Sequence, residues 1–354
     1  MNETTKTRGF TGAGLIGGLA IVGLFGAVGT AAIVGAARED TVLYASGDKP
    51  GEIAGPDKCA ECHPKEAEAW KATHHHATFI DLPRNDKARE IADKLGIRRI
   101  KADSTCLSCH FTVQGAAELE PISGISCESC HGAGENWIDI HSTYAAGADR
   151  DTETEAQRLQ RIEAAVDNGM LSPMDLYAVA ENCYQCHTAP NEELVNKGGH
   201  PAGSNFDLVA WSQGEVRHNF NRTDNTNNAK ADQNTLRVMF VLGKMLDLEY
   251  GLRGLAGATE NALFAKAMAQ RSDRALKQLA QINEVVAIPQ IATMIGAVDR
   301  SDLKLNNADT LNAAADAVKA AARDFANSND GSGLGDLDKF VPGEDKWKGS
   351  AYEG

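Results

Sequence analysis

The chain carries the motif Cys-x-x-Cys-His four times, at residues 59–63, 106–110, 127–131 and 183–187, and these copies use all eight cysteines. The spacing is typical of c-type haem attachment, in which two thiols bond to the haem vinyl groups and the following histidine binds the iron. It predicts four covalently bound haem c groups. The attachment residues would be Cys59, Cys62, Cys106, Cys109, Cys127, Cys130, Cys183 and Cys186, and the first iron ligands His63, His110, His131 and His187.

Two other uses of paired cysteines explain the pattern less well. A zinc site would need cysteine pairs that converge on a shared metal, and nothing about zinc requires histidine at the next position each time. A disulfide framework gives no reason for that histidine either.

The second face of each iron needs its own ligand. Six histidines remain, and all lie in the same region as the motifs: His74, His75, His76, His141, His200 and His218. Three adjacent histidines on a helix point about 100° apart, so only one of the first three is expected to bind an iron. With His141, His200 and His218 this gives four further ligands for four irons. Methionine is the alternative ligand, but Met170 and Met174 are interpreted as packing residues.

The N-terminal segment, residues 1–37, is predicted to be a transmembrane anchor. Residues 9–37 contain no charged side chain and are long enough to span a bilayer. Lys6 and Arg8 precede the stretch, which favours a cytoplasmic N-terminus. The alternative is a cleaved signal peptide, although such segments have a shorter apolar region. We expect an inner-membrane protein with a periplasmic haem domain.

The charge balance excludes some partners. The whole chain has a net charge of −14, and residues 1–37 contribute +1 through Glu3, Lys6 and Arg8, so the remainder is near −15. An acidic surface argues against nucleic acid and would suit a basic redox protein. Simple solubility is the plainer explanation of the same charge.

The fold class predicted is mainly α, a multihaem core of short helices and loops with a helical C-terminal region. The segments expected are the anchor (1–37), a linker (38–55), a tetrahaem cytochrome c domain (56–220) and a helical region (221–354). A helix is predicted over 64–78, and others over 232–256, 259–283, 288–299 and 307–327. The glycines after the third motif indicate a turn or a close approach of the backbone to the porphyrin.

The motifs and their surroundings resemble the tetrahaem cytochrome c-554 family, best known from nitrifying bacteria. The resemblance covers about 56–190. It is carried by the first motif with Ala69-Trp70-Lys71 and Thr73-His74-His75 after it, by the second motif, by the third motif within Gly124-Ile125-Ser126 and Gly132-Ala133-Gly134, and by the fourth motif after Asn182.

The resemblance implies a mostly helical fold with haems in close, stacked pairs. By position, His75 matches the family's distal histidine after the first motif and His141 the one after the third. Distal ligands in such chains usually serve a haem other than the nearest in sequence. The family's type member leaves its second haem without a distal side chain, whereas this chain has both His200 and His218, and one of them could fill that vacancy.

Three functions fit these features. The first is an electron carrier between a membrane quinol-linked donor and a periplasmic acceptor. The second is an enzyme acting on a small nitrogen or sulfur species at an open haem, with Tyr144, Tyr177 and Asp139 as nominal proton donors. The third is a subunit of an extracellular cytochrome filament, which a retained anchor disfavours.

Overall fold

Short helices and loops carry the four motifs, and long helices follow them. The computed structural model describes residues 52–115 and 119–354. The motif-bearing part contains α1 (Pro56–Ala60), α2 (Pro64–Lys71), α3 (His74–Asp81), α4 (Asp86–Leu95), α5 (Ser104–His110), α6 (Cys127–His131), α7 (Ile138–Ser142), α8 (Glu155–Asp167), α9 (Leu176–His187), α10 (Glu192–Asn196) and α11 (Leu208–Ser212). The mainly helical class is confirmed.

The C-terminal part contains α12 (Gln233–Ala256), α13 (Leu263–Val285), α14 (Pro289–Ala297) and α15 (Ala308–Ser328). These bounds lie within about four residues of the predicted ones. Short 3₁₀ helices punctuate the chain at Leu82–Arg84, Ile100–Ala102, Phe220–Thr223, Arg300–Asp302, Ser332–Leu337 and Glu344–Lys346.

The predicted helix over 64–78 is wrong as a single element. It divides into α2 and α3, because the Thr73 hydroxyl accepts the N–H of His76 and starts a new helix there. The break changes the direction of the chain just before the three adjacent histidines.

A two-stranded antiparallel sheet was not foreseen. It joins β1 (Thr112–Gln114) and β2 (Glu120–Ser123), with Val113 opposite Pro121. Strands of three and four residues leave too little alternation to be read from sequence. The sheet returns the chain from the second motif to the third.

Helix α12 is the centre of the C-terminal bundle. It is buried on nearly every side, and packs against α13, α15 and α9. The N–H of Thr235 bonds to the Asp232 side chain and caps the start of the helix. Because α9 carries the fourth motif, this packing joins the motif-bearing part and the bundle through one apolar core.

The predicted anchor and most of the linker, residues 1–51, lie outside the described residues. Within the described ranges, no helix combines the length and apolar character that crossing a membrane requires.

Candidate functional site

The eight predicted iron ligands lie in four pairs of imidazole rings, at similar separations and with interplanar angles from 25° to 85°. His63 lies opposite His141 with ring centroids 6.3 Å apart, and His75 lies opposite His187 at 6.3 Å. The other two pairs are His110 with His200 at 6.4 Å and His131 with His218 at 6.1 Å. Each pair joins one motif histidine to one histidine from outside the motifs, and never the one nearest in sequence.

The common separation fits one metal ion between each pair. An imidazole–metal bond is about 2 Å long, and the ring centroid lies roughly 1 Å behind the bonding nitrogen, so two imidazoles on one metal have centroids about 6 Å apart. Rings in direct contact have centroids about 4.5–7 Å apart, so it is the agreement of all four pairs within 6.1–6.4 Å that favours a shared metal. The assignment of these histidines as iron ligands stays a prediction from the sequence, and this spacing is compatible with it.

Hydrogen bonds at Nδ1 orient several of these rings. The Nδ1 atoms of His141, His200 and His218 lie 2.5, 2.9 and 2.7 Å from backbone carbonyl oxygens. Those of His131 and His187 lie 3.2 and 3.3 Å from the Leu171 carbonyl and the Ser204 hydroxyl. A carbonyl can only accept, so it selects the Nδ1–H tautomer and leaves Nε2 free to bind a metal.

Burial favours the neutral form of three of the four motif histidines. It lowers the pKa of His110, His131 and His187 to about 4, and the neighbouring histidines add to the shift. Burial also lowers the pKa of His75 and His141. A ligand must bring an unprotonated nitrogen to the metal, so these sites are ready at neutral pH.

The two remaining histidines have other contacts. The ring of His74 is exposed and lies 2.7 Å from a Glu215 carboxylate oxygen, while His76 meets the Trp70 ring edge-on at 4.7 Å. Met170 is buried beside Trp137. Met174 is 55 % exposed, so its interpretation as a packing residue is wrong.

Two buried indole groups support the fit to haem. The Nε1 atoms of Trp137 and Trp211 are buried and lack a partner among the described residues. Their rings lie 5.1 Å from His141 and from His187 respectively. A buried N–H without a partner is costly, and a haem propionate is an acceptor that could satisfy it.

Contacts between thiols show how the motifs are arranged. The thiols of Cys59 and Cys127 lie beside one another, which raises the pKa of Cys59 and lowers that of Cys127. Those of Cys109 and Cys186 are also neighbours, which raises the pKa of Cys186 and lowers that of Cys109. The first motif therefore adjoins the third, and the second adjoins the fourth.

The third and fourth motifs are linked as well. The Asn182 side-chain amide donates to the Ser129 carbonyl, and α6 packs against α9. The four motifs thus form a continuous series in the order first, third, fourth, second.

Glu128, inside the third motif, is a residue whose role sequence reasoning missed. It is buried, and its carboxylate accepts the N–H groups of Ala54, Gly55 and Gly134 at 2.7–2.8 Å. It thereby fixes the segment before the first motif to the third motif. No local pattern signals this link, because Ala54 and Gly55 lie more than seventy residues from Glu128.

Glycines at two positions are explained by protein contacts. A Cβ at Gly132, where φ is +89°, would lie 2.1 Å from the Gly169 carbonyl oxygen, and one at Gly124 would lie 2.1 Å from the His75 carbonyl oxygen. Backbone approaches backbone at both places. The close approach expected after the third motif is therefore made to the protein chain at Gly132.

Comparison with known proteins agrees with this site. Residues 58–132 match the family model described as cytochrome c554 and c-prime. Over these residues the chain is similar to the cytochrome c-554 family. A similar curated relative is the cytochrome c-554 of Nitrosomonas europaea, which is 34 % identical over 103 residues.

The match to that cytochrome c-554 covers 27 % of this chain and 43 % of the relative, so the chain spans less than half of the relative's length. No solved structure shows a significant match. This similarity agrees with covalently bound haem c, for which the Cys-x-x-Cys-His motifs are the predicted attachment sites.

Proposed function

We propose that the chain is a tetrahaem c-type cytochrome whose four irons each lie between two histidines, and that it carries electrons. The observation that carries the proposal is the set of four ring pairs with centroids 6.1–6.4 Å apart. Each covalently bound haem c supplies a one-electron iron couple.

Different residues of this chain would attach, ligate and orient the four haems. The eight motif cysteines anchor the four groups, the motif histidines bind from one face, and His75, His141, His200 and His218 bind from the other. The Nδ1 hydrogen bonds hold the rings in place. The continuous order of the motifs keeps the four sites adjacent, as electron transfer between them requires.

The paired histidines favour a carrier over an enzyme. An iron with two imidazoles has no open position for a substrate. The nominal proton donors have structural contacts: the Tyr177 hydroxyl donates to Glu249 at 2.7 Å within the core, and Arg161 stacks on the Tyr144 ring.

The setting in the cell is proposed from the sequence. Residues 9–37 would anchor the chain in the inner membrane with the haem domain in the periplasm, between a quinol-linked donor and a periplasmic acceptor. The acidic surface would suit a basic partner. Fractionation of membranes, with mass spectrometry of the mature N-terminus, tests this: a soluble protein lacking residues 1–36 would contradict the anchor.

The ligand set is tested by electron paramagnetic resonance of the oxidised protein. Four low-spin signals that cyanide and nitric oxide leave unchanged are expected. A high-spin signal that responds to either ligand would show an open iron and would overturn the carrier proposal.

Single variants then assign the ligands. His75→Ala, His141→Ala, His200→Ala and His218→Ala should each convert one haem in four to the high-spin form. His76→Ala, which removes the neighbouring imidazole in contact with the Trp70 ring, is the matched control and should leave all four low-spin. A high-spin haem in this control would mean that the wrong histidine has been assigned.

A further inference from the structure

His218 lies in an irregular segment. It falls between α11 and the 3₁₀ turn Phe220–Thr223, whereas His75 and His141 lie in helices. Its ring hydrogen bond, to the Val216 carbonyl, is local. The position of this imidazole opposite His131 therefore depends on what holds the surrounding loop.

The buried Asn228 side chain holds the loop from one side. Its Oδ1 accepts the N–H of Asn219 at 2.8 Å, and its amide donates to the Arg217 carbonyl at 2.7 Å. These residues flank His218. The same amide also donates to the Tyr352 carbonyl at 2.9 Å, so Asn228 ties the loop to the C-terminal segment.

The C-terminal segment 347–353, here called the strap, covers the loop from the other side. The Lys348 N–H donates to the Ala210 carbonyl at 2.8 Å, and the Lys348 carbonyl accepts the N–H of Glu215 at 2.9 Å. Tyr352 packs on the Phe220 ring at 6.2 Å. The strap thus contacts the chain on both sides of His218.

Arg217, next to His218, is enclosed by the strap. Its side chain is only 3 % exposed. One guanidinium nitrogen lies 3.4 Å from Glu353, another donates to the Gln213 carbonyl, and the group lies 5.5 Å from the Trp347 ring centroid. A buried cation that lost these partners would draw the loop towards water.

The strap also reaches other ligand-bearing segments. The Tyr352 hydroxyl donates to Glu68 on α2 at 3.1 Å. Glu215, which bonds to Lys348, holds His74 beside the ligand His75. One short segment therefore contacts the supports of more than one iron site.

We propose that the strap, residues 347–353, is a positioning device for His218: it holds the imidazole opposite His131, and its removal opens that one iron to small ligands. This rests on the proposed four-haem function. Of the four outer histidines, His218 is the one whose flanking residues are bonded both to Asn228 and to the strap.

The first test is deletion of residues 347–354 from the haem-loaded protein. The expected result is a high-spin signal from one haem in four, with cyanide binding at that haem. Combining the deletion with His218→Ala should add no further high-spin haem. A deletion variant that is fully low-spin and inert to cyanide would overturn the proposal.

The second test uses Asn228→Asp, which keeps the size and one acceptor of Asn228 but cannot donate to Arg217 and Tyr352. Loss of two hydrogen bonds should raise cyanide occupancy about tenfold at limiting cyanide. Asn227→Asp adds the same charge at an exposed neighbour and is the control. Equal cyanide binding by Asn228→Asp and Asn227→Asp would overturn the proposal. This comparison still tests it if the deletion variant does not accumulate in the haem-loaded form.

Failure of the proposed function has a different signature. A high-spin haem in the wild-type protein would contradict the proposal that all four irons lie between two histidines. If His218→Ala in the full chain leaves all haems low-spin, then His218 is not a ligand. Those results concern the histidine pairs, whereas the deletion and Asn228→Asp concern the strap.

Discussion

The Oε2 atom of Glu66 lies 4.0 Å from Nδ1 of His63. This oxygen is buried and has no hydrogen-bond partner in the described part of the chain, while Oε1 accepts the N–H of Asn221 at 3.0 Å. A carboxylate facing the outer nitrogen of a metal-binding imidazole increases its basicity as a ligand. The corresponding contacts of His131 and His187 are to neutral oxygens, so His63 has the most electron-donating surroundings of these three.

Glu66→Gln should therefore raise the reduction potential of the first haem. Removal of the negative charge disfavours the oxidised iron, and a tenfold change in the redox equilibrium corresponds to about 59 mV for one electron. Spectropotentiometric titration of the purified protein measures the shift. Glu61→Gln removes the same charge at an exposed position of the same motif and should move the potential far less; equal shifts would rule out a specific effect through His63.

Glu128→Gln should lower the stability of the haem-loaded protein by about 1–3 kcal/mol. A glutamine amide would place a donor against backbone N–H groups that now share two carboxylate oxygens. Chemical denaturation monitored by circular dichroism gives the change, with Glu61→Gln again as the exposed control. An unchanged midpoint would mean that these three bonds do not hold the first motif to the third.

The sequence predicted elements that depend on local patterns. Long apolar periodicity located α12 to α15, and the repeated cysteine spacing predicts four attachment sites. The Thr73 cap was missed, because good helix formers continue on both sides of it and a single hydroxyl decides the break. The two short strands have no periodicity to detect.

The sequence predicts the members of the candidate site but not which of them lie opposite one another. Counting histidines gives four outer ligands, yet which motif each one faces depends on contacts such as His75 with His187, more than a hundred residues apart. Glu128 and Asn228 likewise bond to residues more than seventy positions away, Ala54 and Tyr352 respectively. Long-range contacts are properties of the folded chain, and one sequence does not reveal them.

Asp338 should contribute stability that disappears in acid. Its ion pair with Arg237, at 2.6 Å, lowers the pKa of the carboxyl to about 2, below about 3.9 in an unfolded chain. A lowered folded-state pKa stabilises the fold above the unfolded pKa, and this contribution is lost as the pH falls through the folded pKa.

Asp338→Asn should accordingly be less stable than wild type at pH 6, and the difference should shrink between about pH 4 and pH 2. Urea denaturation of both proteins across this range measures it. Asp345→Asn, at a carboxylate paired with its exposed neighbour Lys346, is the control. A difference that stays constant from pH 6 to pH 2 would contradict the linkage to Asp338.

Tyr184 connects the fourth motif to the bundle. It lies between Cys183 and Cys186, is fully buried, and donates its hydroxyl proton to the Gly243 carbonyl of α12 at 2.7 Å. Because α9 and α12 share one apolar core, loss of packing in the bundle should also disturb the fourth haem. Haem absorbance and far-ultraviolet circular dichroism should then follow a single unfolding transition.

Tyr184→Phe should lower the free energy of unfolding measured in that single transition by about 1 kcal/mol, which is the typical contribution of one hydrogen bond. Tyr352→Phe loses an exposed hydroxyl contact and should lower the free energy of unfolding by less. Two separate transitions in the wild-type protein, with Tyr184→Phe affecting only the helical one, would mean that the bundle folds independently. Coincident transitions that shift together would show that residues beyond 221 are needed to keep the fourth motif in its folded geometry.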